Sequence, residues 1–240
     1  MRNPQEAREA IDRLELPFNA LGMDPYGISK RHLRLALTVL APLYRHYFSV
    51  RVRGIERIPP RGRAMLVGNH SGGVAIDAAM VIASCLLELE PPRLAQGMAE
   101  RFLNRFPVVS KWASRTGQFT GLPEHAERLL EDDRLLLVFP EGARGTAKLF
   151  RDRYTLVAFG SGFMRLALKT QTPIVPFAVL GASEAFPTIA NATRLGRLLG
   201  LPYIPIVAYG LPVALPAKIE IEYGARLLFT GSGNEEDSVV

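Results

Sequence analysis

The chain has 240 residues, 48% of them apolar, enough to bury a sizeable core in one α/β domain with an appendage rather than two domains. Its only cysteine, Cys85, lies inside an apolar run, which excludes a disulfide scaffold and a thiolate metal site. The net charge of +6 is uneven: nine bases fall between Lys30 and Arg63 against Glu56 alone, which fits either an anionic partner (phospholipid, nucleotide-like phosphate, nucleic acid) or a solvated basic face.

The first residues alternate in charge and lack the apolar stretch of a signal peptide, so a cytoplasmic protein is expected. Segments 4–16 and 29–48 have helical periodicity and are separated by Pro17, Gly22, Pro25 and Gly27, which predicts an N-terminal helical pair over residues 1–47. In the second helix Leu33, Leu37, Leu40 and Tyr44 form an apolar face beside Arg31, Arg34, Arg45 and His46. Such a helix either packs on the domain or lies on a membrane.

From residue 48 onward short β-prone runs alternate with helical ones. Strands are expected near 48–53, 64–68, 94–98, 135–139, 174–179 and 218–223, and helices near 77–87, 108–115, from Pro123 and Glu124 onward, and over 162–169. The alternation predicts an α/β domain over 48–240, a largely parallel central sheet flanked by helices, with ligands beyond the carboxyl ends of its strands. Residues 198–217 carry no charge and are long enough to span a bilayer. Pro202, Pro205, Pro212 and Pro216, with Gly200 and Gly210, would break that helix, so an apolar loop and strand is expected instead: core, tunnel wall or bilayer contact.

Two strand ends carry the chemistry. His70 follows an apolar strand and is succeeded by Gly72, Gly73 and Asp77. If Asp77 accepts a hydrogen bond from one ring nitrogen, the other can take a proton from a hydroxyl or thiol, as in acyl transfer; an ordinary structural pair is the alternative. The second strand end delivers Glu141 and Arg144. Arg144 offers a planar fork for a phosphate or carboxylate, and Glu141 can hold Arg144 or an acceptor hydroxyl; a loop-bracing ion pair is the alternative. No Gly-x-Ser-x-Gly elbow is present, and Ser71 reads as a polar support. His32, His46 and His125 lack ligand spacing, so no metal is expected, and there is no Walker loop or dinucleotide fingerprint. The basic, aromatic segment 148–154 reads as a phosphate contact or a solvated loop. Without a protein nucleophile, the route left is direct attack by an acceptor hydroxyl on an activated acyl group.

Asn69-His70-Ser71 with Asp77, then Phe139-Pro140-Glu141-Gly142-Ala143-Arg144, then Thr172-Pro173-Ile174-Val175-Pro176-Phe177, resemble in type and order the glycerolipid acyltransferase family, the group with the 1-acylglycerol-3-phosphate and lysophospholipid acyltransferases. The resemblance covers about residues 48–223. It implies a glycerolipid acyltransferase-like fold, with His70 and Asp77 as catalytic dyad, and substrate binding by Asn69, Ser71, Glu141, Gly142 and Arg144. Pro173 and Pro176 would shape the acyl pocket. It further implies acyl-CoA or acyl carrier protein as donor, no bound cofactor, no metal, a lipid acceptor such as lysophosphatidate, and a peripheral position at the inner face of the membrane. A nucleic-acid partner is not expected.

This chain departs from the family pattern twice. Six residues, Ser71 to Ile76, separate the imidazole from the carboxylate, a longer link than usual in the family. The block 117–123 has Gly121 near the place of the usual phosphate-binding arginine, leaving Arg115 or Lys111 as substitutes, or an acceptor without phosphate. Alternative readings are therefore a neutral glyceride or specialised lipid acceptor, a thioesterase, or a lipid-binding module.

Overall fold

Residues 64–68 and 135–138 are apolar or glycine throughout and so have no side that water could favour. They form the strands β2 and β5 at the middle of the sheet, buried on both faces. The computed structural model describes residues 3–99, 105–120, 123–211 and 213–235. Its nine strands are β1 (Arg51–Arg53), β2 (Ala64–Gly68), β3 (Ala95–Ala99), β4 (Phe119–Thr120), β5 (Leu135–Val138), β6 (Ile174–Leu180), β7 (Thr188–Asn191), β8 (Pro205–Val207) and β9 (Glu220–Tyr223). Seven make one sheet in the order β1-β9-β6-β2-β5-β3-β4, parallel at every pairing except β6 with β9. β7 and β8 pair as a separate antiparallel ribbon.

The helices are α1 (Asn3–Asp12), α2 (Lys30–Pro42), α3 (Ile76–Leu87), α4 (Pro107–Arg115), α5 (Pro123–Glu131), α6 (Ala143–Thr146), α7 (Gly162–Thr170), α8 (Ala182–Ala185) and α9 (Thr193–Leu198). Side chains alternate across a strand, so β2 and β5 feed two cores. Leu66, Leu135 and Leu137 face α3 with Met80 and Ala83, while Met65, Val67, Leu136 and Val138 face α5 and α7 with Leu129, Leu130 and Ala167. The largely parallel sheet flanked by helices is thus as expected.

The N-terminal helices pack on α3: Ala7 and Ile11 of α1 and Leu33 and Leu37 of α2 share a buried cluster with Leu86. The apolar face of α2 is therefore spent on packing. The helix expected over 29–48 is α-helical only to Pro42, which has no N–H for the ladder, and continues as a wider π turn over Leu43–Tyr47. Four of the nine bases between Lys30 and Arg63 are matched by acids of the molecule. Arg34 pairs with Asp12, Arg45 with Glu6 and Glu88, Arg61 with Glu15, and Arg63 with Asp133.

The uncharged stretch 198–217 holds the end of α9, β8 and irregular turns. Among the described residues no helix is long and apolar enough to cross a membrane. Gly121 and Pro212, and the acidic tail beyond Glu235, lie outside the described residues.

Candidate active site

His70 leaves the carboxyl end of β2 and Asp77 occupies the first turn of α3, where the helix dipole favours a carboxylate. The intervening link folds back on itself through left-handed backbone at Gly72 (φ +82°), Gly73 (φ +61°) and Ala75 (φ +56°). At Gly73 a Cβ would also come within 2.6 Å of the Phe186 ring, so the tight return needs glycine there for space as well as for conformation. The return brings Asp77 Oδ2 to 2.8 Å from His70 Nδ1, absorbing the extra length of the link. The same oxygen accepts the Ser71 N–H at 2.7 Å, and Oδ1 accepts the N–H of Ala78 at 2.8 Å. Asp77 is fully buried, whereas the His70 side chain keeps 12% of its surface exposed.

The ring is fixed from a second side. Phe139, at the end of β5, stacks on it with centroids 4.0 Å apart and planes 17° from parallel. Phe177 of β6 meets Phe139 edge-on at 5.6 Å. Phe177 in turn lies over Gly68, where any Cβ would collide with its ring. A backbone position one strand away thus sets the depth of the aromatic layer under the imidazole.

Glu141 does something other than expected. Its carboxylate is completely buried and accepts four hydrogen bonds: the His70 N–H at 2.8 Å and the Val157 N–H at 2.8 Å, and the Lys148 Nζ at 2.9 Å to one oxygen and 3.3 Å to the other. Its partners are thus Lys148 and two backbone N–H groups rather than Arg144, and it ties the β5 loop to the backbone of His70. Lys148 is 6% exposed at the side chain and also donates to the Thr155 carbonyl at 3.0 Å, so it is a buried brace and not a solvated base. Its neighbour Arg153 pairs with Glu184 and lies over the rings of Phe150 and Tyr154.

The remaining candidates separate by position. Asn69 is engaged with the neighbouring strand β6. Its carboxamide donates to the Val179 carbonyl at 2.9 Å and accepts the Val179 N–H at 2.8 Å, pairing with β6 as a strand would. Ser71 is buried beside Asp77. Gly142 opens α6 at φ +55°, ψ −150°, a conformation essentially reserved for glycine. Arg144, on α6, is exposed and donates to the Ala158 carbonyl at 2.9 Å, leaving much of its fork toward solvent. Of the two proposed stand-ins for a phosphate-binding arginine, Arg115 donates to the Gly27 carbonyl at 3.0 Å, while Lys111 is exposed on α4. Pro173 and Pro176 belong to the sheet: their carbonyls accept from Met65 and Gly224.

A model of the acyltransferase family matches residues 49–180, the span that runs from β1 through both strand ends to the end of β6. The chain belongs to the acyltransferase family. An uncharacterized protein of Mycobacterium bovis is 36% identical over 211 residues, 85% of this chain and 58% of that relative's length. This acyltransferase therefore spans little more than half of it. The 1-acyl-sn-glycerol-3-phosphate acyltransferase alpha of Ovis aries is 28% identical over 187 residues, 76% of this chain and 63% of its own. Among solved structures, the 1-acyl-sn-glycerophosphate acyltransferase PlsC of Thermotoga maritima superposes with a TM-score of 0.51 at 18% identity. The match covers 85% of this acyltransferase and 74% of that chain, a likeness of fold.

Three members of the site escape sequence reasoning: Phe139, Lys148 and Gly145. Phe139 reads as the last apolar residue of a strand, and Lys148 as one more surface base. Gly145 packs so closely that a Cβ there would lie 2.7 Å from His70 Cβ and 2.8 Å from Glu141 Cβ. The run of small residues at 142–147 was the signal available for it.

Proposed function

We propose that this acyltransferase moves a fatty acyl group from a thioester donor, acyl-CoA or acyl carrier protein, to a hydroxyl of a glycerolipid-type acceptor such as lysophosphatidate. The observation that carries the reading is the 2.8 Å contact between His70 Nδ1 and the buried Asp77 carboxylate. With Nδ1 donating to Asp77, Nε2 is the nitrogen left to accept the acceptor's hydroxyl proton. The resulting alkoxide attacks the thioester carbonyl, the tetrahedral intermediate collapses with cleavage of the carbon–sulfur bond, and the imidazolium returns the proton to the departing thiolate. No acyl-enzyme forms on this route. Arg144, exposed and forked, supports a charged acceptor such as a phosphate. Glu141 and Lys148 act by holding the His70 backbone in place.

An enzyme of this kind works where its acceptor resides, so we place it peripherally at a membrane surface, on the cytoplasmic side. The test is product analysis after incubation with mixed acyl-CoAs and a panel of glycerol phosphate, lysophospholipids and neutral glycerides. Acylated glycerolipid that vanishes with His70→Ala is the expected result. Equal release of free fatty acid with and without acceptor would make the protein a thioesterase, and no consumption of donor would make it a lipid-binding module.

A further inference from the structure

α4 is a nine-residue helix with no buried residue. Val108, Val109 and Trp112 lie three and four positions apart and therefore share one face, with Val108 84% exposed. Only its inner side touches the molecule, where the Trp112 ring meets His32 of α2 edge-on at 5.4 Å, and Trp112 itself stays 40% exposed. Next to α4 stands α9, whose Leu195 and Leu198 are exposed, Leu198 at 82%, as is the following Leu199. The segments that flank the two helices meet where Gly200, after α9, abuts the side chain of Arg105, before α4; a Cβ at Gly200 would collide with it.

The two stretches of chain that carry this apolar surface hold charge of one sign. Residues 105–120 and 185–219 contain Arg105, Lys111, Arg115, Arg194, Arg197 and Lys218 and not one acid. On α2, by contrast, Arg34 is paired with Asp12. The surface also adjoins the site. Tyr203, just after Leu199, bonds Thr146 of α6 at 2.5 Å, and Asn191, just before α9, donates to the Ala147 carbonyl at 2.6 Å.

We propose that α4 and α9 form the surface by which this protein lies on an anionic lipid bilayer, apolar residues at the acyl boundary and bases among the head groups. The proposal rests on the acyltransferase reading above and extends it, since a lipid acceptor would then enter beside α6 and reach His70 without crossing water. The charge pattern chooses the occupant: a purely apolar partner would gain nothing from six unopposed bases.

Trp112 is the only tryptophan of the chain and sits on this surface, so it reports directly. Vesicles of phosphatidylglycerol and phosphatidylcholine should shift its emission to the blue and carry the protein up a flotation gradient, with pure phosphatidylcholine much weaker and added salt releasing it. Val108→Asp with Leu198→Asp should weaken vesicle binding at least about tenfold, and Arg194→Glu with Arg197→Glu should do the same for anionic vesicles only. Flotation with Trp112 unmoved, or variants that float like the wild type, would overturn the proposal. So would a blue shift that grows with protein concentration in the absence of lipid, which would mark the surface as a contact between copies. Turnover of a water-soluble short-chain thioester and acceptor, measured without vesicles, separates the two readings. Both double variants should retain it; if the wild type lacks it while Trp112 still shifts, the catalytic reading fails and the surface stands.

Discussion

After β2 the chain carries an imidazole to the open edge of the sheet and buries the partner carboxylate behind it. After β5 the order is reversed: the carboxylate goes inside and a guanidinium stays out. Both segments read in sequence as an apolar strand followed by glycine and a polar pair. The difference comes from what the interior offers each acid. Asp77 finds the ring of His70 and two backbone N–H groups, and Glu141 finds Lys148 and two backbone N–H groups, one of them belonging to His70 itself. The first loop holds the imidazole of His70 and the second holds the first loop.

Substitutions can break that division of labour. His70→Ala should have the largest effect, a loss of about a thousandfold in kcat with the fold intact, because the general base is removed. Asp77→Asn should follow with a loss on the order of a hundredfold, since an amide cannot favour the Nδ1–H tautomer as a carboxylate does. Both are read as acyl transfer in steady state, with circular dichroism to confirm folding; wild-type kcat in either would remove the dyad.

The second loop should respond differently. Glu141→Gln strands a buried ammonium and should destabilise the protein by about 3 kcal/mol, seen in urea unfolding, with activity falling because the His70 backbone loses its tether. Adding Lys148→Met should restore much of the stability. If Glu141→Gln left stability untouched and raised only the KM for acceptor, Glu141 would be a binding residue after all. Arg144→Ala should be milder still: a several-fold rise in KM for phosphorylated acceptors, near-wild-type kcat, and no change for neutral glycerides. Smallest of all, burial pushes the Cys85 thiol up to about 11 and leaves it without exposed surface. A raised thiol pKa favours the neutral form, so iodoacetamide at pH 8 should leave the native protein unlabelled and fully active and react only after unfolding.

The strands and long helices were legible because their apolar periodicity is the same force that packs them, and β2, β5 and α3 lie within a residue or two of where 64–68, 135–139 and 77–87 put them. The short elements between β6 and β9 were not. α8, β7, α9 and β8 have too few residues each to show a period, and prolines hide what pattern there is. In the site, His70 and Asp77 could be paired from sequence only as a possibility, because the closing of their link depends on backbone at Gly72, Gly73 and Ala75 that periodicity does not encode. Glu141 was found without its ion-pair partner, since Lys148 belonged to a segment that read as a phosphate contact or a solvated loop. The basic flank of α2 suggested a membrane helix for a similar reason: Asp12, Glu6 and Glu88, the acids that match Arg34 and Arg45, lie far away in the chain.

β9 has a bearing on how the molecule is made. Among the described strands it comes last in sequence, yet it sits between β1 and β6, and β1 pairs with it alone. It also delivers Tyr223, whose hydroxyl lies 2.7 Å from Ser84 Oγ within α3, into the core beneath Phe177. On the ribosome, β1 must therefore wait for more than 160 residues to be added before its place in the sheet exists. Through that interval one wall of the interior stands open, and it closes only once β9 has emerged.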